Sequence, residues 1–215
     1  IIDTHEQMQS PALIPFVVDA CCLIDSLFRD MTSDPVTVDS KQKHRKDCDI
    51  SDFAKLHAAA LDLPCTRSVM LVSPPTYRMP FQPWQSLSTH GSYSPLSWWQ
   101  NYNLLKHDRL ANLGMGTLGT VIDAACALHQ ILSRRIDFVP ALLRRGWFPI
   151  GNFTVDYIID KATRQGGFTD PAYVVQTRLF ATPTGTRQFP EDINELFPGL
   201  YVCKTEFLEF LGRSS

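Results

Sequence analysis

Ser94-Pro-Leu-Ser-Trp-Trp-Gln-Asn-Tyr-Asn-Leu-Leu-Lys-His-Asp-Arg109 concentrates more aromatic surface and more amide and titratable chemistry than any other stretch of the chain. Its start reads as a helix start, with Ser94 as N-cap and Pro95 at the first helical position, where a missing N–H costs nothing. At about 100° per residue, Trp98, Trp99, Tyr102, Leu105 and Leu110 share one broad face. Gln100, Asn103 and His107 gather at the edge of that face, spaced i, i+3 and i+7. The aromatic face is most simply the core of a bundle, and only the narrow polar edge is a candidate for chemistry.

Towards the N-terminus, Ser10-Pro11 signals another helix start. Ala20, Leu23, Ile24, Leu27, Phe28 and Met31 then recur at helical spacing, while Asp19, Asp25, Arg29 and Asp30 fall elsewhere on the cylinder. This helix should end at Thr32-Ser33-Asp34-Pro35, because proline disfavours helix in the residue before it. Ser51 is the expected N-cap of a further helix through Leu63, with Phe53, Leu56, Ala60 and Leu61 inward and Pro64 as terminator. Ser68-Val-Met-Leu-Val72 suits a strand or extended segment. Four prolines then alternate with Tyr77, Phe81 and Trp84, which predicts an ordered aromatic loop.

After the central helix, Leu110 to Gly119 holds three glycines and reads as a joint. Helix resumes near Thr117, with Leu118, Val121, Ile122, Ala125, Leu128 and Leu132 in a stripe and Arg134-Arg135 suited to its C-terminal dipole. The remaining residues change character. Pro140 to Arg145 suits a short helix stopped by Gly146. Phe153 to Ile159 and Tyr173 to Phe180 carry strand-like residues that would pair as a hairpin. Short helical pieces are expected from Phe189 and over Thr205 to Leu211. The expected fold class is therefore all-α: an antiparallel helical bundle of four or more helices over residues 1–135, with an irregular, partly β C-terminal extension over 136–215.

A chain of 215 residues is long enough for a substantial core, and its formal charge of −2 argues against a large uniformly basic surface. The six cysteines include adjacent Cys21 and Cys22 and no C-x-x-C pair, which fits reduced thiols rather than a disulfide framework. No apolar run approaches the roughly 20 residues of a membrane span, so no membrane association is expected. The expected location is cytoplasmic.

Phosphate-binding loops, nucleophile elbows and zinc motifs are absent from the sequence. Gly114 to Gly119 matches a dinucleotide-loop spacing, but a helix precedes it instead of a strand, so a flexible joint is the better reading. His44 and Cys48 stand four apart, yet a metal needs three or four ligands, and no metal or cofactor is expected. Lys41 to Lys46 is the one basic run, readable as a phosphate-binding edge or, more simply, as a solvated loop or helix end. That leaves Gln100, Asn103, Lys106, His107 and Arg109. His107 can act as acid and base near neutral pH. Asn103, one turn earlier, can orient the imidazole or donate to a phosphate, and Lys106 and Arg109 supply positive charge for an anionic transition state. The alternative is a helix whose Asn and His bond to neighbouring backbone.

The segment Tyr102-Asn-Leu-Leu-Lys-His-Asp-Arg109 resembles the signature helix of HEPN domains (higher eukaryotes and prokaryotes nucleotide-binding). Asn103 and His107 match the family's Asn and His, and Tyr102 stands where its catalytic arginine would precede Asn103. The resemblance implies metal-independent RNA cleavage in a homodimer, of the kind used in phage defence or toxin–antitoxin systems. His107 would be the general acid/base, Asn103 the orienting residue and Arg109 the nearest basic substitute, with Lys106 and Gln100 binding substrate. The alternative class is a non-catalytic helical protein that binds a protein or nucleotide partner through the aromatic loop and the Asn103/His107 face. A third is a purely structural bundle.

Overall fold

The computed structural model describes residues 3–72, 75–148, 153–168 and 173–195. Cys203 and the helix expected over 205–211 lie outside the described residues. Two compact units divide the chain: unit 1 comprises residues 1–66 and 79–131, and unit 2 comprises 67–78 and 132–215.

Unit 1 carries α1 (Asp3–Glu6), α2 (Ile14–Met31), α3 (Ile50–His57), α4 (Gln85–His90), α5 (Ser97–His107) and the first part of α6 (Leu118–Arg134). In α2, Pro15 falls in the first turn, where no intrahelical donor is lost. Its core face is Ile14, Val17, Cys21, Ile24 and Phe28. Ala20, Leu27 and Met31 are only half-buried, and Leu23 is exposed, so the buried stripe is rotated from the expected one. Pro11–Met31 is long and apolar enough to cross a membrane by length and composition, contrary to the expectation of no such run. About 33% of its most apolar window is buried, where α2 packs with Phe53, Phe81, Trp84 and Trp98 in the core of unit 1, while Phe16 and Leu23 are exposed.

The cap of α3 is Asp49, two residues before the expected Ser51. Its carboxylate accepts the backbone N–H of Ser51 and of Asp52, while the Asp52 carboxylate accepts the Asp49 N–H. The helix stops at His57 rather than Leu63. The basic run begins as a strand, passes through His44 into a 3-10 turn at Arg45, and is exposed except at Lys43. Val36–Val38 (β1) and Lys41–Lys43 (β2) form an antiparallel hairpin closed by Asp39 and Ser40. Both turn residues have positive φ, 49° and 64°, the handedness that matches strand twist in a two-residue loop. Lys43 pairs with the buried carboxylate of Asp52 at 2.9 Å, so part of the run's charge is spent internally.

The four-stranded sheet of unit 2 overturns the all-α expectation. Its order is β4 (Thr76–Arg78), β3 (Ser68–Met70), β6 (Phe180–Pro183) and β5 (Val174–Gln176), with every neighbouring pair antiparallel. With the β1–β2 hairpin, the protein is mixed α/β rather than a helical bundle. The reason is physical. Strands of three or four residues are too short to display a period of two, and β3 pairs with a partner more than a hundred residues away, Val69 opposite Ala181. The buried Ser68 and Thr182 hydroxyls lie 2.6 Å apart across that pairing.

Val155–Arg164, which includes much of the expected first strand, is helix α8, capped by the Thr154 hydroxyl. It buries Ile158 and Ala162 and turns its charges outward. α7 (Val139–Arg144) matches the expected short helix, and Gly146 after it has φ +75°, a conformation costly for any residue with a Cβ. Arg134, expected to serve the dipole of α6, is instead buried and donates to the Gly185 carbonyl at 2.5 Å.

Candidate functional site

The site is built on α5. The helix starts two residues late: Leu96 is the cap residue, it offers no side-chain hydrogen bond, and Ser94 and Pro95 precede the helix. Trp98, Trp99, Tyr102 and Leu105 are buried, as the periodicity required. The Trp98 indole donates to the Pro80 carbonyl at 3.0 Å, and the two tryptophans meet edge to face. Tyr102 packs on Trp99, with its hydroxyl 3.5 Å from the Cys22 sulfur. Burial, then the Cys22 neighbour, pushes the Tyr102 phenol well above its ordinary value. Leu110 does not join this face: the helix ends at His107, and Leu110 is 84% exposed.

With the aromatic face locked in the core, a helix of 3.6 residues per turn must present Gln100, Asn103, Leu104 and His107 outward, and all four are exposed. They line an open depression of about 690 Å³, together with Asn101, Asp108, Asn112 and Met115. Gln100, Asn103 and His107 are therefore brought together. Lys106 and Arg109 are not among the lining residues. Lys106 lies over the Tyr102 ring, its ammonium 5.5 Å from the ring centroid. Arg109 lies beyond the helix, in the turn that follows Asp108.

That turn is held by reciprocal bonds. The Asp108 carboxylate accepts the Ala111 N–H at 3.1 Å. The Asn112 side-chain amide donates to the Asp108 carbonyl at 2.7 Å and to the Leu104 carbonyl at 3.4 Å. The Leu104 carbonyl also accepts the Asp108 N–H at 3.0 Å, and the Asp108 carbonyl follows the helix end, so the Asn112 amide adds donors where α5 closes. The last turn, including His107, is thereby pinned. Further along, Gly116 allows the chain to pass Ile14, where an added Cβ would lie 2.7 Å from the Ile14 Cγ1. The glycine run is a close-packed joint between helices.

Sequence reading missed Asp108, Asn112, Asn101, Leu104 and Met115 as lining residues. Leu104 was legible, since it lies three residues from His107 and four from Gln100. Asn112 and Met115 follow the helix end, and no periodicity places them.

Phe81 and Trp84 are fully buried, packed on each other and on Phe28. Among the described residues, no cluster of three or more His, Cys, Asp and Glu is arranged to hold a metal ion. His44 instead meets Asp34 at 3.1 Å, and this hydrogen bond holds the Asp34 carboxyl below its usual range. Cys48 is buried, with its sulfur on the His44 carbonyl. Compared with protein families, with curated proteins and with solved structures, the chain matches none.

Proposed function

We propose that unit 1 is a HEPN-like, metal-independent endoribonuclease that works as a homodimer in the cytoplasm, in a phage-defence or toxin–antitoxin setting. One observation carries the reading: Asn103 and His107, the two residues that match the family motif, are both exposed and line the same depression. Lys106 and Arg109 stand exposed beside it, where an RNA backbone leaving the depression would pass. In the reaction, His107 of one protomer takes the proton of the ribose 2′-hydroxyl, whose oxygen attacks the adjacent phosphorus. His107 of the partner protonates the departing 5′-oxygen, leaving a 2′,3′-cyclic phosphate and a 5′-hydroxyl. Asn103 orients the attacked phosphate. Cys21, Cys22, Cys48, Cys65 and Cys126 carry unoxidised thiols, in keeping with the cytoplasmic placement.

Incubating the protein with single-stranded RNA in excess chelator tests this. Cyclic-phosphate ends are expected, with His107→Ala lowering the rate by at least about 100-fold. Undiminished cleavage by His107→Ala, or no cleavage by the native chain at any concentration, would sink the reading.

A second reading is favoured by a different observation. Tyr102 is only 3% exposed, and none of the residues lining the depression is Lys or Arg. On that reading the same face captures a partner without catalysis. Binding would then survive in the absence of any cleavage, and His107→Ala would weaken capture alone.

A further inference from the structure

We propose that the depression beside His107 is a nucleobase subsite that selects a base with an exocyclic amino group, adenine above uracil. Its place in a cleavage reaction rests on the ribonuclease reading above, while its ligand chemistry stands on the lining itself.

The surface facing the depression is mainly apolar, with a few acceptors set into it. The Asn112 side-chain nitrogen faces two backbone carbonyls, those of Asp108 and Leu104. Both partners can only accept, so this end of the amide must be the NH₂ group, and Oδ1 is the atom left for a ligand. Asn101 likewise spends its Nδ2 on the Thr120 hydroxyl at 2.9 Å. Asp108 uses Oδ1 on the Ala111 N–H and retains a second carboxylate oxygen. No Lys or Arg at the Gln100 end of the lining selects a phosphate by charge, whereas an amino group has these acceptors to meet.

Gln100 adds an exposed carboxamide, one donor beside one acceptor, which matches the N–H and ring nitrogen along an adenine edge. Leu104 and Met115, 44% and 36% exposed, supply apolar surface for the base plane, and a thioether favours aromatic contact. A purine covers that surface more fully than a pyrimidine. Uracil presents carbonyl oxygens on both sides of its single N–H, so acceptors would face acceptors. The geometry along the helix is consistent: Gln100 and His107 are separated by two turns, about 10 Å, with Leu104 between them. A base near Gln100 therefore leaves its sugar and phosphate towards His107. A volume of about 690 Å³ is in the usual range for a small-ligand site.

Titration of the full chain with adenosine and uridine 5′-monophosphates, followed by calorimetry, reads the subsite without needing catalysis. Adenosine monophosphate should bind about tenfold more tightly than uridine monophosphate. Leu104→Glu, at an exposed position that the fold does not need, should abolish that binding with an unchanged melting temperature. Asn112→Ala, compared where its circular dichroism matches the native chain, should bring the preference close to unity. Equal affinities, no binding of either nucleotide, or full binding by Leu104→Glu would overturn the proposal. The two readings fail separately. RNA cleavage in a protein without nucleotide preference leaves the nuclease and removes the subsite, and adenine-selective binding without cleavage does the reverse.

Discussion

The Tyr102 hydroxyl lies 3.5 Å from the Cys22 sulfur, tying α5 to α2 inside unit 1. This contact explains why the position that the HEPN resemblance assigns to an arginine carries none here: it is a core position. Restoring the family residue by Tyr102→Arg should therefore destabilise the fold by about 3 kcal/mol or more, because it buries a guanidinium where the Asp25 carboxylate acting on this position is already paired with Arg29. Tyr102→Phe should cost only about 1 kcal/mol, since it loses one weak hydrogen bond. Denaturant unfolding of the two variants checks this. A stable Tyr102→Arg protein would mean that the pocket opens to solvent.

Helical periodicity places Leu105 and Leu110 on one face, and the structure separates them sharply, at 1% and 84% exposure. Leu105→Ala should cost about 2–5 kcal/mol through lost burial and a residual cavity. Leu110→Ser should stay within about 0.5 kcal/mol of the native chain. Equal losses in chemical denaturation would place Leu110 back in the core.

His129 on α6 is buried, and that burial pushes its imidazole from 6.5 down to about 3. The folded state thus binds fewer protons than the unfolded chain between these values, so stability rises with pH across that window. Its contribution is present above the unfolded value near 6.5 and is lost progressively as pH falls towards 3. Unfolding free energies measured between pH 6.5 and 5, above most carboxylate titrations, should slope upward with pH in the native chain. The slope should flatten in His129→Leu, and an unchanged slope would assign it to another group.

The cysteines should divide by access. Cys22 and Cys65 are exposed, whereas Cys21, Cys48 and Cys126 are buried. Cys21 is the sharpest case, adjacent to an exposed neighbour yet held far above the ordinary thiol range by burial and then by Cys22. Alkylation of the native protein, located by peptide mass spectrometry, should modify Cys22 and Cys65 quickly and Cys21 only on unfolding. Rapid modification of Cys21 would show local opening of α2.

The sequence by itself determined the helices whose apolar residues recur every three or four positions: α2, α5 and α6. It also determined which edge of α5 faces outward, because Trp98, Trp99, Tyr102 and Leu105 leave only one direction for Gln100, Asn103 and His107. Helical periodicity is local and repeats over several turns, so it survives without knowledge of the partners. Tertiary structure alone decided the rest. The sheet of unit 2 depends on β3 meeting β6 across the length of the chain, and three-residue strands carry no readable alternation. In Val155–Arg164, β-branched and aromatic residues suggested a strand, while the burial of Ile158 and Ala162 one turn apart made a helix. The depression beside His107 also needed the fold, because Asn112 and Met115 reach it only through the turn that Asp108 and Asn112 close at the end of α5.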